Sequence, residues 1–265
     1  MNKYALITGA SSGIGLELAK VFAKNGFDII ITARRSKQLE DLARLIREDN
    51  KREVHIITED LTLKNAPGNI HAYCRKNQLN VEVLVNNAGY GCNRDFHAIS
   101  LEELDDFFEV LLVSLVKLTR LFIPDMLKNR TGKILQVSSI AGILPSGSSL
   151  GIYYNAKRFV NEFTISLNSA YRNKGVSVTA LCPGITETEF FVRAGYEQNL
   201  FDKLSKLVMS AADVAEQGYN ALMKQKEIYV VKGRFYQLIV FLSKITSRKV
   251  LTRLVDFFTS RSDSL

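Results

Sequence analysis

The chain has 265 residues, 46% of them apolar, 23% charged and only four prolines, which excludes disordered, collagen-like and disulfide-scaffold classes and favours a single globular domain. Cys74, Cys92 and Cys182 form no C-x-x-C pair, and His55, His71 and His97 match no ligand spacing, so the expectation is a reducing cytoplasm and no metal. Most of the net charge of +8 lies in residues 224–265, which hold nine Lys/Arg against three Asp/Glu, and the near-neutral remainder shows no zinc-finger or RNP pattern, so nucleic acid is not an expected partner.

The first apolar run breaks at once into Thr8-Gly-Ala-Ser-Ser-Gly rather than forming a signal peptide. No segment approaches the roughly 18 apolar residues that span a bilayer. Lys3–Thr8 reads as a strand, Gly13–Asn25 as a helix, Phe27–Ala33 as a strand and Gln38–Glu48 as a helix. Further strands are expected at Glu53–Thr58, Val83–Asn86, Gly132–Ser138, Val176–Leu181 and Glu227–Val231, with helices between them, one of them running from Leu101 to Leu127. Ser100-Leu-Glu-Glu103 is a capping box, and Ser210-Ala-Ala-Asp213 opens a later helix in the same manner. Ile29-Ile-Ile31 and Val83-Leu-Val85 are apolar at every position, as in a parallel sheet covered on both faces. The fold class is therefore α/β, doubly wound, in which ligands bind beyond the carboxyl ends of the strands.

The segments after the strands carry the chemistry. After the first comes Gly9-Ala-Ser11-Ser12-Gly13-Ile14-Gly15, whose glycines allow a tight turn and bring amides and a helix start to an anion. Such a turn also serves as a plain strand-to-helix connection. After the second come Arg34 and Arg35, where an acidic residue would hold a ribose 2′-hydroxyl; two arginines suit a 2′-phosphate instead, with Arg34 the main contact. Asp60-Leu61 follows the third strand, with Asp60 also readable as a helix N-cap, and Asn86-Asn87-Ala88-Gly89 follows the fourth. Ser138-Ser139 follows the fifth. Tyr153 and Lys157 then share one helical face, where an ammonium beside a phenol lowers the phenol's pKa and a serine hydroxyl can polarise the same oxygen. Pro183-Gly184-Ile185-Thr186-Glu187-Thr188 follows the sixth strand, a turn able to hold a carboxamide.

This ordered set, Thr-Gly-x-x-x-Gly-x-Gly, Asn-Asn-Ala-Gly, Ser, Tyr-x-x-x-Lys and Pro-Gly, resembles the short-chain dehydrogenase/reductase family from Tyr4 to about Val231, and its flanking text is most similar to the bacterial DltE-like branch. The resemblance implies a seven-stranded Rossmann sheet, a homodimer or homotetramer, and hydride transfer between NADP(H) and a small-molecule carbonyl or alcohol. It implies Tyr153 as general acid/base, Lys157 as its pKa-lowering partner and ribose ligand, and Ser139 as the group binding the reacting oxygen. Gly9, Ser11, Ser12, Gly13, Ile14 and Gly15 would line the pyrophosphate and ribose, Asp60 and Leu61 the adenine, Asn87, Ala88 and Gly89 the ribose, and Pro183, Gly184, Thr186 and Thr188 the nicotinamide. Two departures stand out. Ser114 takes the place of an asparagine that usually anchors a relay water, which leaves a cofactor-binding sensor with weakened catalysis as an alternative function. Ser139 precedes Tyr153 by 14 residues rather than 13, so Ser138 stays open as the catalytic serine.

Residues 1–231 read as the Rossmann domain and 232–265 as a basic amphipathic extension packed on it. Within 234–258, Phe235, Leu238, Ile239, Phe241, Leu242, Ile245, Val250, Leu251, Leu254, Val255, Phe257 and Phe258 interleave with basic residues, a pattern that suits a peripheral membrane contact, a cap on the substrate cleft or a subunit contact. A substrate lid is expected over Phe190–Val208, whose apolar residues point to a hydrophobic or lipid-like substrate.

Overall fold

The strands expected from the apolar runs assemble into one parallel sheet. The computed structural model describes residues 2–92, 94–145, 151–190, 207–247 and 250–252, with backbone only at 234 and 244. The strands are β1 (Tyr4–Thr8), β2 (Asp28–Ala33), β3 (Val54–Thr58), β4 (Val81–Asn86), β5 (Gly132–Val137), β6 (Val176–Cys182) and β7 (Ile228–Val230), in the order β3-β2-β1-β4-β5-β6-β7. The winding reverses between β1 and β4, which pair in parallel with Ala5 opposite Val83 and Ile7 opposite Val85. The helices are α1 (Gly13–Lys24), α2 (Ser36–Asn50), α3 (Ala66–Lys76), α4 (Leu101–Phe108), α5 (Ser114–Asn129), α6 (Gly151–Tyr171), α7 (Ala211–Met223) and α8 (Arg234–Ile245).

Alternate residues of each strand feed different cores, which is why the strands carry no polar alternation. Ala5, Ile7, Ile29 and Ile31 pack with Leu18 and Phe22 of α1, Leu39 and Ile46 of α2, and Val214 and Leu222 of α7. Leu6 and Ile30 enter the other core, with Ile70 of α3, Leu118 and Phe122 of α5, and Ala156 of α6. The capping box at Ser100 is present, its Oγ accepting from Glu103 N at 3.2 Å and the Glu103 carboxylate accepting from Ser100 N at 3.0 Å. Ser210 likewise accepts from Asp213 N at 3.0 Å.

Two local expectations are corrected. The single helix expected from Leu101 to Leu127 is interrupted by a π-helical turn at Glu109–Val113, in which Val110 and Leu111 are buried, before α5 begins. Asp60 caps no helix. Its Oδ1 accepts from Thr62 N at 3.1 Å, closing a turn, while α3 starts only at Ala66. The Ser146–Ser149 loop, most of the expected lid (191–206) and the end of the tail (253–265) lie outside the described residues.

The three cysteines are free thiols. Cys74 and Cys182 are buried, and burial pushes each thiol up to about 12, whereas Cys92 is partly exposed. A disulfide reagent at pH 8 is therefore expected to titrate Cys92 alone in the native protein and the other two only after denaturation. Prompt labelling of Cys182 in the native chain would show that the interior at the end of β6 opens to solvent.

Candidate active site

The carboxyl ends of the strands open into a cavity of about 450 Å³. β1 hands over to α1 through Gly9 and Gly13, both at positive φ (66° and 58°), a conformation open to glycine at little cost. Gly15 packs beneath this turn, where a Cβ would collide with Asn87 Nδ2 and the Gly9 carbonyl. The turn is pinned to the β4 end. Thr8 Oγ1 accepts from Asn87 N and Ala88 N, each at 3.0 Å, and Asn87 Nδ2 donates to the Thr8 carbonyl at 2.8 Å. Gly9, Ser11, Ser12, Gly13, Ile14, Asn87, Ala88 and Gly89 line the cavity, and Gly15 does not. Backbone amides at a helix start, brought to the cavity by glycines that carry no side chain of their own, fit a pyrophosphate.

The ends of β2 and β3 supply Arg34, Arg35, Asp60 and Leu61 to the same wall. Arg34 is more than half exposed, with Nη1 3.7 Å from Asp60 Oδ2. Arg35 is tied across the glycine turn, donating to Ser11 Oγ at 3.0 Å and Ser12 Oγ at 2.8 Å and pairing with Glu189 Oε1 at 3.0 Å. Ser12 Oγ itself donates to Glu189 Oε2 at 3.3 Å. The Glu189 carboxylate thus sits on the cation and hydroxyl that an anionic ligand of the turn would use. Glu189→Gln is expected to tighten binding of a phosphate-bearing ligand about two- to fivefold, the scale of a half-exposed ion pair, as measured by fluorescence titration; weaker binding would instead make Glu189 a necessary anchor for Arg35.

At the far end, Tyr153 and Lys157 project from α6 toward Ser139 at the end of β5. Lys157 is 6% exposed, its Nζ donating to the Val137 carbonyl at 2.8 Å and lying 5.7 Å from the Tyr153 ring centroid. Burial pulls its pKa down to about 8. Burial pushes the Tyr153 phenol above the ordinary tyrosine value, and a hydrogen bond with Ser139 brings it partway back. The Lys157 ammonium is turned onto a backbone carbonyl, and loss of water around the phenol opposes the lowering expected from that ammonium. Ser139 Oγ accepts from Ala141 N at 3.1 Å and faces Tyr153, whereas the buried Ser138 donates to the Lys157 carbonyl at 3.0 Å, so the geometry favours Ser139 as the reacting-oxygen ligand.

Pro183, Gly184, Thr186 and Thr188 line the cavity beside this end, with Thr186 Oγ1 donating to the Gly184 carbonyl at 3.1 Å. Ser114 is not brought there. It is fully buried between α5 and the turn after β3, and its Oγ donates to the Leu61 carbonyl at 3.0 Å. Sequence reasoning missed Tyr90 and Asp106 near the mouth, and Leu144, Tyr154 and Tyr236 near the catalytic end. Tyr236 is the most constrained of these. Its hydroxyl accepts from Ile185 N at 2.9 Å and donates to the Leu207 carbonyl at 2.6 Å. The signal was faint, a single hydroxyl-bearing ring inside an apolar stripe.

A family model described as short chain dehydrogenase matches residues 3–199. The chain is 32% identical to a serine 3-dehydrogenase of Agrobacterium fabrum over 87% of its own length and 92% of that protein. It is also 32% identical to a very-long-chain 3-oxoacyl-CoA reductase of Bos taurus over 71% of this chain and 61% of that one. A short-chain dehydrogenase from Sphingobium yanoikuyae, solved in complex with NADPH, superposes with a TM-score of 0.82 at 24% identity, covering 100% of this chain and 98% of its own. The parallel sheet, the glycine turn and these likenesses agree: the chain belongs to the short-chain dehydrogenase family of oxidoreductases.

Proposed function

We propose that this oxidoreductase interconverts a carbonyl and a secondary alcohol with NADP(H), using Tyr153 as general acid/base. One observation carries the reading: Ser139, Tyr153 and Lys157 meet at one end of a cavity whose other end is the glycine turn flanked by Arg34 and Arg35. Bound along that cavity, a nicotinamide dinucleotide supplies a hydride to the carbonyl carbon or takes one from the alcohol carbon. Ser139 Oγ donates a hydrogen bond to the reacting oxygen, polarising it. Its pKa raised by loss of water, the phenol stays protonated at neutral pH, the form that reduction requires, and gives its proton to that oxygen. Lys157, drawn down to about 8, is close enough to balance at neutral pH to return a proton to the phenolate.

The two arginines, with no carboxylate at either position, support NADP(H) over NAD(H). Leu144, Phe190, Leu207, Phe235 and Ile239 line the catalytic end and support a hydrophobic substrate. Residues 1–231 act as one Rossmann domain, on which Tyr236 and Ile239 of the extension after it are packed, and the text from Cys182 to Phe190 is nearest the DltE-like branch. Free, mostly buried cysteines support a reducing cytoplasm. Exposed Phe96, Leu101 and Phe108 at and before α4 support a homodimer or homotetramer. The sensor alternative rests on Ser114 in place of an asparagine, and its hydroxyl, given to the Leu61 carbonyl, supplies no relay contact in the cavity; the catalytic reading is favoured over it by Ser139, Tyr153 and Lys157 lining the cavity together.

The test is a titration with NADPH and with NADH, following nicotinamide fluorescence free of tryptophan background, then NADPH consumption over a panel of ketones of rising apolar bulk. Tighter NADPH binding and turnover of bulky ketones are expected. Binding of neither nucleotide would overturn the reading.

A further inference from the structure

We propose that the outer face of α8 docks on an anionic lipid bilayer, which places the catalytic end of the cavity at the membrane surface. The helix has two faces with different tasks. Its inner face is pinned to the site: Tyr236 is 3% exposed, its ring lies where a Cβ on Gly184 would have to go, and its hydroxyl bridges Ile185 and Leu207. Ile239 packs beside Ala141, Leu144 and Tyr154. One turn of this helix therefore forms a wall of the cavity.

The outer face is apolar and open. Leu238, Phe241, Leu242 and Ile245 are 55%, 59%, 37% and 67% exposed. At the α-helical period they fall within an arc of about 100°, a contiguous stripe turned away from Tyr236 and Ile239. Val250, just beyond, is 55% exposed. Among the described residues no comparable stripe is left open on the helices that cover the sheet, whose apolar faces enter the two cores.

Charge decides between occupants. From Ile228 to Thr252 the sequence holds Lys232, Arg234, Lys244, Arg248 and Lys249 and no Asp or Glu. A second copy of the same stretch of sequence would bring a net charge of +5 against +5, which opposes self-association through it, whereas anionic headgroups neutralise that charge. A helix of 12 residues is about 18 Å long, too short to cross a bilayer, and no helix among the described residues is long and apolar enough to do so. Such a helix lies in the interface plane, with its apolar stripe among the acyl chains and its cations at the headgroups.

The docking goes beyond the catalytic reading and stands or falls separately from it. The full chain is sedimented with vesicles of phosphatidylcholine and phosphatidylglycerol, and with phosphatidylcholine alone, while NADPH binding is measured on the same samples. Binding to the anionic vesicles is expected, weakening as salt rises because exposed charges are screened. Phe241→Glu and Ile245→Glu, both at exposed positions, are expected to weaken vesicle binding about tenfold or more, with NADPH affinity and thermal midpoint unchanged. Equal binding to both vesicle types, or none, overturns the proposal, as does anionic binding that both variants retain. If Phe241→Glu instead lowers the solution mass of an oligomer, the face belongs to a second copy and the membrane assignment fails. Loss of NADPH binding in the unaltered chain would sink the catalytic reading and leave the vesicle result intact.

Discussion

Tyr153→Phe is expected to lower turnover of any ketone substrate about 10²- to 10⁴-fold, the range spanned by a positioned proton donor. The loss should fall on kcat and kcat/KM alike, because the proton moves only as the carbonyl is reduced. Structure and cofactor affinity should survive. The ring itself packs against Phe190, 5.3 Å between centroids, and phenylalanine keeps that contact while removing only the oxygen hydrogen-bonded with Ser139. The pH profile adds a second reading of the same pair. Below about 8 Lys157 is charged and can restore the phenol's proton; above it, the ammonium is lost and reduction should decline. Because burial lowers this pKa rather than raising it, the decline begins well below the ordinary lysine range. Lys157→Arg, whose guanidinium keeps its proton across the whole range, should remove that limb and lower the rate at every pH, because it cannot return a proton to the phenolate. A Tyr153→Phe enzyme with unchanged kcat would remove Tyr153 from the chemistry altogether.

The fold was legible because its strands are unusual. Ile29-Ile30-Ile31 and Val83-Leu84-Val85 are apolar at every position, and both faces of each are buried. The cofactor end was equally legible, since a glycine turn has to follow a strand and precede a helix to work, and both neighbours could be read locally. What could not be read depended on distant packing. The π-helical turn at Glu109–Val113 leaves no mark in composition, and Ser114, just after it, meets the Leu61 carbonyl across 53 residues of sequence. Tyr236 reaches Ile185 and Leu207 across 51 and 29 residues of sequence, and no local pattern encodes that span. The balance between burial and charge at Tyr153 depends on packing of the same kind. Spacing places Lys157 on the same helical face, but only the three-dimensional arrangement shows its Nζ held by Val137.

Arg34→Ala is expected to weaken NADPH binding about tenfold and leave NADH binding nearly unchanged. A charge-assisted hydrogen bond contributes about 1.5–3 kcal/mol where water is excluded, and the lower end applies here because the Arg34 side chain is 59% exposed and screened. Arg35→Ala should behave differently. Its guanidinium holds Ser11, Ser12 and Glu189 together over the glycine turn, so its loss loosens a seat that both nucleotides share, and NADH affinity should fall as well. The double variant should lose more than about tenfold toward NADPH, and because the two residues are adjacent its loss reports their coupling as well as their separate contributions. The two single variants thus separate charge recognition from support of the turn. Should Arg34→Ala weaken NADH as much as NADPH, Arg34 would be bracing Asp60 rather than reading a 2′-phosphate. Discrimination between the nucleotides would then rest on Arg35 alone, and Glu189, its partner at 3.0 Å, would set how much of that cation a phosphate can claim.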